Sequence, residues 1–128
     1  STTYYDELKS KKPKNVNLIL RTRDLEYDSF YKYGDDWNKL SMKQFLEKDG
    51  NYETFSSYIQ APPDNEYDAI LIDGRSRIYC ARHIYDHNLL ADGGRMLVHD
   101  YDRKWYHSIE IWFEPIYSVD RLTLFRKR

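Results

Sequence analysis

The stretch YDAILIDG, Tyr67 to Gly74, decides the fold of this chain. Four consecutive apolar residues, bounded by acidic residues and a glycine, are typical of a strand that is buried on both faces, as in a parallel sheet. Between Ile78 and Leu89 the apolar residues recur every three or four positions, which predicts an amphipathic helix. We expect Asp92-Gly93-Gly94 to end this helix, with a glycine in the left-handed position. Met96 to Val98 then predicts a second buried strand.

The order strand, helix, strand predicts two parallel strands joined by a right-handed crossover. Lys104 to Phe113 repeats the helical pattern, and Pro115 lies just beyond its end. Two further strands, Ile116 to Val119 and Leu122 to Arg126, have only Asp120-Arg121 between them, which predicts an antiparallel hairpin. The sequence therefore indicates an α/β fold whose parallel core ends in a hairpin.

The first 64 residues are more polar and more weakly patterned than the rest. Helices are predicted over Tyr4 to Lys12 and over Ser41 to Lys48, and Tyr52 to Ile59 is a further candidate helix. Val16 to Leu20 (VNLIL) predicts a strand, and the Tyr- and Asp-rich segment from Asp24 to Asp36 favours a loop.

Length and composition limit the class of protein. A chain of 128 residues indicates one domain, residues 1–128. Its 20 basic and 21 acidic side chains nearly cancel, which argues against nonspecific electrostatic binding to nucleic acid or to an anionic membrane. No run approaches about 18 apolar residues, so no membrane span is predicted. The single cysteine, Cys80, excludes an internal disulfide and a thiolate zinc cluster. Because the first residues lack a basic leader and an apolar run, we expect a cytoplasmic location.

Acidic residues follow both strands of the predicted parallel pair. Asp73 comes directly after the first strand and Asp100 after the second. Ligands of open parallel sheets bind beyond the carboxyl ends of the strands, so we expect the two carboxylates to meet at one edge. Such a pair is suited to bind Mg²⁺ or to orient a substrate hydroxyl. Each acid has the alternative role of capping the helix or turn that follows it.

Basic and imidazole side chains lie beside these acids. In Gly74-Arg75-Ser76-Arg77, an arginine is a candidate for holding a carboxylate or phosphate, or for a simple surface pair with Asp73. His99 is a candidate acid–base group, with a supporting role as the alternative. His83 and His87 have a spacing that zinc can use, but no third ligand is evident, and solvated helix histidines are more common.

Aromatic residues are abundant, with 13 Tyr, 5 Phe and 3 Trp. Because Tyr buries its ring while its hydroxyl reaches a partner, we expect part of this set to replace missing aliphatic core. Tyr101, Trp105, Tyr106 and Trp112 lie near the predicted sheet edge. There they are suited to stack on an adenine or a sugar, although a core role is more common at helical spacing.

Three segments resemble the class I S-adenosylmethionine-dependent methyltransferases: Ile72 to Arg75 (IDGR), His99 to Tyr101 (HDY) and Arg103 to Tyr106 (RKWY). They are most similar to the group that includes the plant glucuronoxylan methyltransferases. The resemblance covers residues 65–128 and extends weakly to Val16 to Leu20, which looks like the third strand of that fold. It implies a Rossmann-like methyltransferase sheet, mostly parallel, with a terminal antiparallel hairpin and without the N-terminal strands.

The resemblance also implies a function and a set of site residues. The function is O-methyl transfer from S-adenosylmethionine to a small polar or sugar-like acceptor. The implied catalytic residues are Asp73, Asp100 and His99. The implied substrate-binding residues are Arg75, Arg77, Tyr101 and Tyr106. The implied cofactor residues are Asp24, Asp73 and Gly74. In metal-dependent relatives such as the catechol methyltransferases, acids at the places of Asp73 and Asp100 bind Mg²⁺.

The chain departs from this family in its first half. The family's cofactor site begins with a glycine-rich turn, and here no glycine precedes Gly34. This departure leaves a second interpretation open, that of a catalytically inactive module. Such a module would serve binding or assembly through an open sheet edge, covered by a partner chain or by a second copy.

Overall fold

The computed structural model describes residues 2–11, 25, 27 and 29–128. The predicted strand over Val16 to Leu20 and the predicted cofactor residue Asp24 lie outside the described residues. The helices are α1 (Thr2–Lys11), α2 (Met42–Asp49), α3 (Tyr52–Ile59) and α4 (Arg77–Asp86), with 3₁₀ helices at Ser29–Tyr31, Trp37–Lys39 and Lys104–Ile111. The strands are β1 (Tyr67–Ile72), β2 (Leu90–His99), β3 (Phe113–Val119) and β4 (Leu122–Lys127). In this described part, no helix combines the length and the apolar character needed to cross a bilayer.

Polar side chains start helices α2 and α3 at the predicted positions. Ser41 accepts a hydrogen bond from the Gln44 amide while the Gln44 side chain accepts one from the Ser41 amide, which is a reciprocal capping box. Asn51 caps α3 by accepting from the Thr54 amide at 2.9 Å. Between the helices, Gly50 has φ +112°, a conformation that side chains disfavour, and this allows α3 to begin with only two residues between it and the end of α2.

The described strands form one mixed sheet in the order β1-β2-β4-β3. β1 and β2 are parallel, with Ile70 beside Met96 and Ile72 beside Val98, and α4 connects them. β4 is antiparallel to both β2 and β3. The α/β class, the parallel pair and the terminal hairpin are therefore confirmed. The sheet is mixed rather than mostly parallel, because β4 pairs antiparallel with both β2 and β3, which makes two of the three strand pairings antiparallel.

Helix α4 is shorter, and strand β2 longer, than the sequence pattern predicts. α4 ends at Asp86, and Asn88 adopts the left-handed conformation, with φ 51°. Asp92-Gly93-Gly94 lies within β2, where Gly93 has φ +76° and the register against β1 shifts. The prediction that these glycines end the helix is wrong, because asparagine also tolerates the left-handed region and ends the helix earlier. The glycines form an irregular bulge in a strand instead.

Strand β1 is more exposed than a strand buried on both faces. Leu71 is 62% exposed, and Asp68 and Ala69 are also exposed, whereas Ile72 is buried. The reason is its place at one edge of the described sheet, where β2 is its one neighbour.

The segment Lys104–Ile111 is a 3₁₀ helix instead of the predicted α-helix. The Tyr106 amide bonds to the Arg103 carbonyl, a spacing of three residues. β3 follows at once and includes Pro115, which the pattern placed outside the strand. β3 is the other edge of the described sheet, and an edge strand tolerates the missing amide hydrogen of proline.

The core is built by one face of the sheet together with α2, α4 and the long 3₁₀ helix. Aromatic rings supply much of it: Phe45, Tyr106, Phe113 and Phe125 are all at most 1% exposed. Phe45 of α2 meets Tyr106 edge-on, with ring centroids 4.9 Å apart. Buried aromatic side chains thus tie α2 to the second half of the chain, as the composition suggested.

Candidate functional site

The carboxyl ends of β1 and β2 bring together Asp73, His99 and Asp100. His99 Nδ1 lies 3.5 Å from Asp73 Oδ1 and 3.3 Å from Asp100 Oδ2. The side chain of Asp73 is 52% exposed and that of His99 is 43% exposed, whereas that of Asp100 is 11% exposed. The predicted meeting of the two acids at one edge is therefore present. It results from the parallel pairing of β1 with β2, since Ile72 and Val98 are register partners.

Asp100 is the acid that the arginines surround. Its Oδ2 lies 3.2 Å from both Arg77 Nη1 and Arg103 Nη2, and its Oδ1 lies 3.9 Å from Arg121 Nη1. Its backbone is left-handed, with φ 59°, which is uncommon for a residue other than glycine. Burial by itself raises the pKa of Asp100, but Arg103 and Arg77 outweigh burial and hold the pKa below its usual value.

Arg77 is the centre of a hydrogen-bond network below this edge. It is 3% exposed. Its Nη1 donates to the His99 carbonyl at 3.1 Å and to Asp100 at 3.2 Å, and its Nη2 donates to Asp73 at 3.3 Å. A guanidinium group presents several donors in a fixed plane, so one side chain holds both strand ends in place.

Asp49 completes this network, and the sequence did not reveal it as a site residue. It ends α2, is 1% exposed, and accepts from the Arg77 amide at 2.9 Å and from the Tyr106 hydroxyl at 2.6 Å. It thereby caps the N-terminus of α4. Burial raises the pKa of Asp49, and the bonds from Tyr106 and Arg77 oppose that rise. In sequence, Asp49-Gly50 carried only the signal of a helix end.

Three of the four residues predicted to contact a substrate are buried. Arg77 bonds to protein partners, Tyr106 is 0% exposed and donates to Asp49, and Tyr101 donates to Glu110 at 2.6 Å. In this structure Arg77, Tyr101 and Tyr106 support the site instead of lining its surface. Arg75, whose side chain is 30% exposed, is the predicted substrate residue that stays accessible.

Arg75 belongs to a group of cations packed against two aromatic rings, which we call the Trp37 cluster: Phe30, Trp37, Lys48, Arg75 and Arg103. The Arg103 guanidinium lies 3.9 Å from the Trp37 ring centroid and that of Arg75 lies 5.9 Å from it. Arg75 also lies 4.6 Å from the Phe30 ring centroid. The Lys48 ammonium lies 4.8 Å from the Trp37 centroid. Three cations close to one indole form a cation–π arrangement, and sequence spacing gave no sign of it.

The other singled-out residues lie apart from this network. Gly74 follows Asp73, and a Cβ atom there would stand 2.3 Å from the Tyr58 hydroxyl. The rings of His83 and His87 have centroids 4.1 Å apart and line a cavity of about 320 Å³ with Tyr52 and Tyr79. Burial raises the pKa of the Cys80 thiol to about 12, so this thiol is not a nucleophile at neutral pH.

The arrangement of the acids does not fit a Mg²⁺ ion. Asp73 and Asp100 both point an oxygen at Arg77, and Asp100 also faces Arg103. A divalent cation between the acids would stand against those guanidinium charges. Across the described residues, no group of three or more His, Cys, Asp or Glu side chains is placed to hold a metal ion.

Comparison with known proteins yields no match to this chain among protein-family models, curated proteins or solved structures.

The arginines around Asp100 predict how stability depends on pH. A carboxyl group whose pKa is lower in the folded chain contributes stability that is complete above about pH 4 and is lost as the pH falls through its folded pKa. We expect Asp100→Asn to be less stable than wild type at neutral pH, with the difference shrinking below about pH 4. Urea titrations from neutral pH to below about pH 4 measure this difference in the free energy of unfolding, with the exposed Asp68→Asn as control. A difference that stays constant with pH would contradict the assignment.

Proposed function

We propose that this chain is a methyltransferase-like domain that uses S-adenosylmethionine to methylate a hydroxyl group of a small polar or sugar-like acceptor. The observation that carries the proposal is the convergence of Asp73, His99 and Asp100 at the carboxyl ends of two parallel strands. This is the edge at which open parallel sheets bind their ligands. The IDGR and HDY segments that resemble the methyltransferases supply these same residues.

His99 is suited to take the proton of the acceptor hydroxyl. Its side chain is 43% exposed, and Nδ1 is the ring nitrogen beside the carboxylates. We therefore assign proton acceptance to Nε2. Asp73 and Asp100 stabilise the imidazolium ion that results, because both carboxylates lie within 3.5 Å of the ring. S-adenosylmethionine, when bound, supplies a methyl group activated by a sulfonium sulfur.

Asp73 fits the role of holding the cofactor. Asp73 places one oxygen beside Arg77 and keeps half of its side chain exposed, so its carboxylate is available to accept bonds from ribose hydroxyls. Gly74 allows the Tyr58 side chain to lie against the backbone, because a Cβ atom there would collide with the Tyr58 hydroxyl, and its contact with the cofactor stays a prediction. Asp24, outside the described residues, stays a prediction for contact with the adenine.

Calorimetry with S-adenosylhomocysteine tests this proposal without a known acceptor. We expect wild type to bind and Asp73→Asn to bind at least about tenfold more weakly, because an amide presents one acceptor oxygen in place of two. Asp68→Asn, which changes an exposed acid on β1, the strand that Asp73 follows, is the matched control. The absence of any binding to wild type would overturn the proposal.

A second candidate function, binding or assembly through the sheet edge, has support from β1. This strand pairs only with β2 among the described residues, and Leu71 is 62% exposed. An apolar cavity of about 180 Å³ lies beside it and includes Ile70, Leu71 and Pro62 in its lining. An open strand edge next to an apolar hollow is suited to accept a strand of a second copy or of a partner chain.

Light scattering distinguishes this second function from the first. If the β1 edge pairs with a second copy, wild type is a dimer or a larger assembly and Leu71→Lys is a monomer, because a lysine on an edge strand opposes pairing. Tyr117→Lys, on the opposite edge strand β3, is the control. A wild-type chain that is monomeric at every concentration would exclude self-assembly through β1.

A further inference from the structure

The Trp37 cluster contains hydrogen-bond donors that the protein itself does not use. Nη1 of Arg75 and Nη1 of Arg103 are buried, and neither has a hydrogen-bond partner among the described residues. Nε of Arg77, next to this cluster in the network around Asp100, is also buried without a hydrogen-bond partner among the described residues. A buried guanidinium nitrogen without a partner costs free energy, so the two in the Trp37 cluster need an explanation. A ligand that accepts hydrogen bonds from these nitrogens would explain them.

The charges around these donors favour an anion. The cationic side chains outnumber the acidic ones: Lys48, Arg75, Arg77 and Arg103 stand against Asp49, Asp73 and Asp100. Lys48 is 1% exposed and donates to the Gly34 carbonyl, and among the described residues it pairs with no carboxylate. The excess positive charge is therefore concentrated in a part-buried region, where water screens it less than at an open surface.

The aromatic rings lie against the same guanidinium groups that carry the free donors. Trp37 lies against both Arg75 and Arg103, and Phe30 lies against Arg75. Arg103 uses Nη2 for Asp100 at 3.2 Å, which leaves Nη1 as the free donor. Arg75 approaches Asp49 only to 3.8 Å and makes no hydrogen bond with it through Nη1.

We propose that Arg75 and Arg103, stacked on Phe30 and Trp37, form a binding site for an oxyanion, the carboxylate or phosphate group of a ligand. The site is connected to the strand-end acids, because Asp100 bonds to both Arg77 and Arg103. This oxyanion site deepens the proposed function, because it assigns a negative charge to the methyl acceptor. The assignment of that charge to the acceptor rests on the proposed function. Trp37 is a binding residue that no sequence motif indicated, and Arg103, the first residue of the RKWY segment, gains a binding role.

Titration calorimetry with inorganic phosphate and with malonate, at constant ionic strength in chloride, tests this site. We expect wild type to bind at least one of the two anions, and the tighter one identifies the group as phosphate or carboxylate. Arg75→Lys and Arg103→Lys should each weaken that binding at least about tenfold, because lysine keeps the charge but loses the forked donors. Arg82→Lys, in an exposed pair with Asp86 on α4, should leave it unchanged.

The same titration separates this inference from the proposed function. No binding of either anion to wild type would overturn it, as would equal binding by wild type and both lysine variants. Circular dichroism shows whether the variants are folded, and a rise in wild-type melting temperature with the anion that is absent in the Arg75→Lys, Arg103→Lys double variant is a second measure. Anion binding without S-adenosylhomocysteine binding would keep the oxyanion site and reject the methyltransferase proposal.

Discussion

Arg77→Met should lower the free energy of unfolding by about 3–5 kcal/mol, the largest effect that we expect of any side-chain replacement outside the apolar core. Methionine has a similar length and no charge, so the change mainly removes the guanidinium donors. Asp100, whose side chain is 11% exposed, then loses its bond to Arg77 Nη1. Its remaining cationic neighbours are Arg103 and Arg121, which are more exposed than Arg77. Asp49 keeps its bond to the amide of residue 77 but loses a nearby positive charge in a fully buried place. Breaking one partner out of a buried ionic network is costly because the remaining charges stay desolvated.

Urea denaturation of Arg77→Met and Arg82→Met measures this effect against a matched control. Arg82 is also on α4 and also pairs with an acid four residues away, Asp86, at 3.4 Å. Its side chain is 62% exposed, so its loss should change stability by no more than about 0.5 kcal/mol. Similar losses for the two variants would show that the network around Arg77 does not hold the strand ends together.

Gly50→Ala should lower the free energy of unfolding by about 2–5 kcal/mol, from backbone strain and from overpacking together. Gly50 has φ +112°, and a Cβ atom there would stand 2.4 Å from the ring of Phe55, which is 8% exposed. Its carbonyl accepts a hydrogen bond from the buried Ser76 hydroxyl, and Asp49 is its chain neighbour. A shift at this residue therefore displaces the acid that caps α4 and bonds to Tyr106.

Gly34→Ala is the control that separates strain from collision. Gly34 also has a positive φ, +76°, but a Cβ atom there would meet nothing within 4 Å. It should lose only the strain contribution, about 1 kcal/mol. Thermal or urea denaturation compares the two. If Gly50→Ala and Gly34→Ala lower the free energy of unfolding equally, the contact with Phe55 relaxes freely and the junction between α2 and α3 is not tightly packed.

The parts of the site that could be predicted are those set by short stretches of sequence. Asp73 and Asp100 each come directly after an apolar run, and parallel pairing brings two such positions to one edge. The two-residue turn at Asp120-Arg121 likewise determines the hairpin of β3 and β4.

The parts that could not be predicted depend on contacts between distant segments. Asp49 is 28 residues from Arg77 along the chain, and no periodicity connects a helix end to the start of a later helix. Trp37 and Arg103 are also far apart in sequence and meet only in the folded chain. Asn88 ended α4 before the more obvious glycines because two residue types can adopt the same left-handed conformation.

The most direct test of the central claim is a map of backbone amide chemical shifts of the wild-type chain on addition of S-adenosylhomocysteine. If the carboxyl ends of β1 and β2 form the cofactor site, the amides of Asp73, Gly74, His99 and Asp100 should shift together and saturate with one dissociation constant. Amides at the far end of β1, near Tyr67, serve as internal references. Shifts confined to another surface, or no shifts at all, would contradict the claim that this edge of the sheet is the functional site.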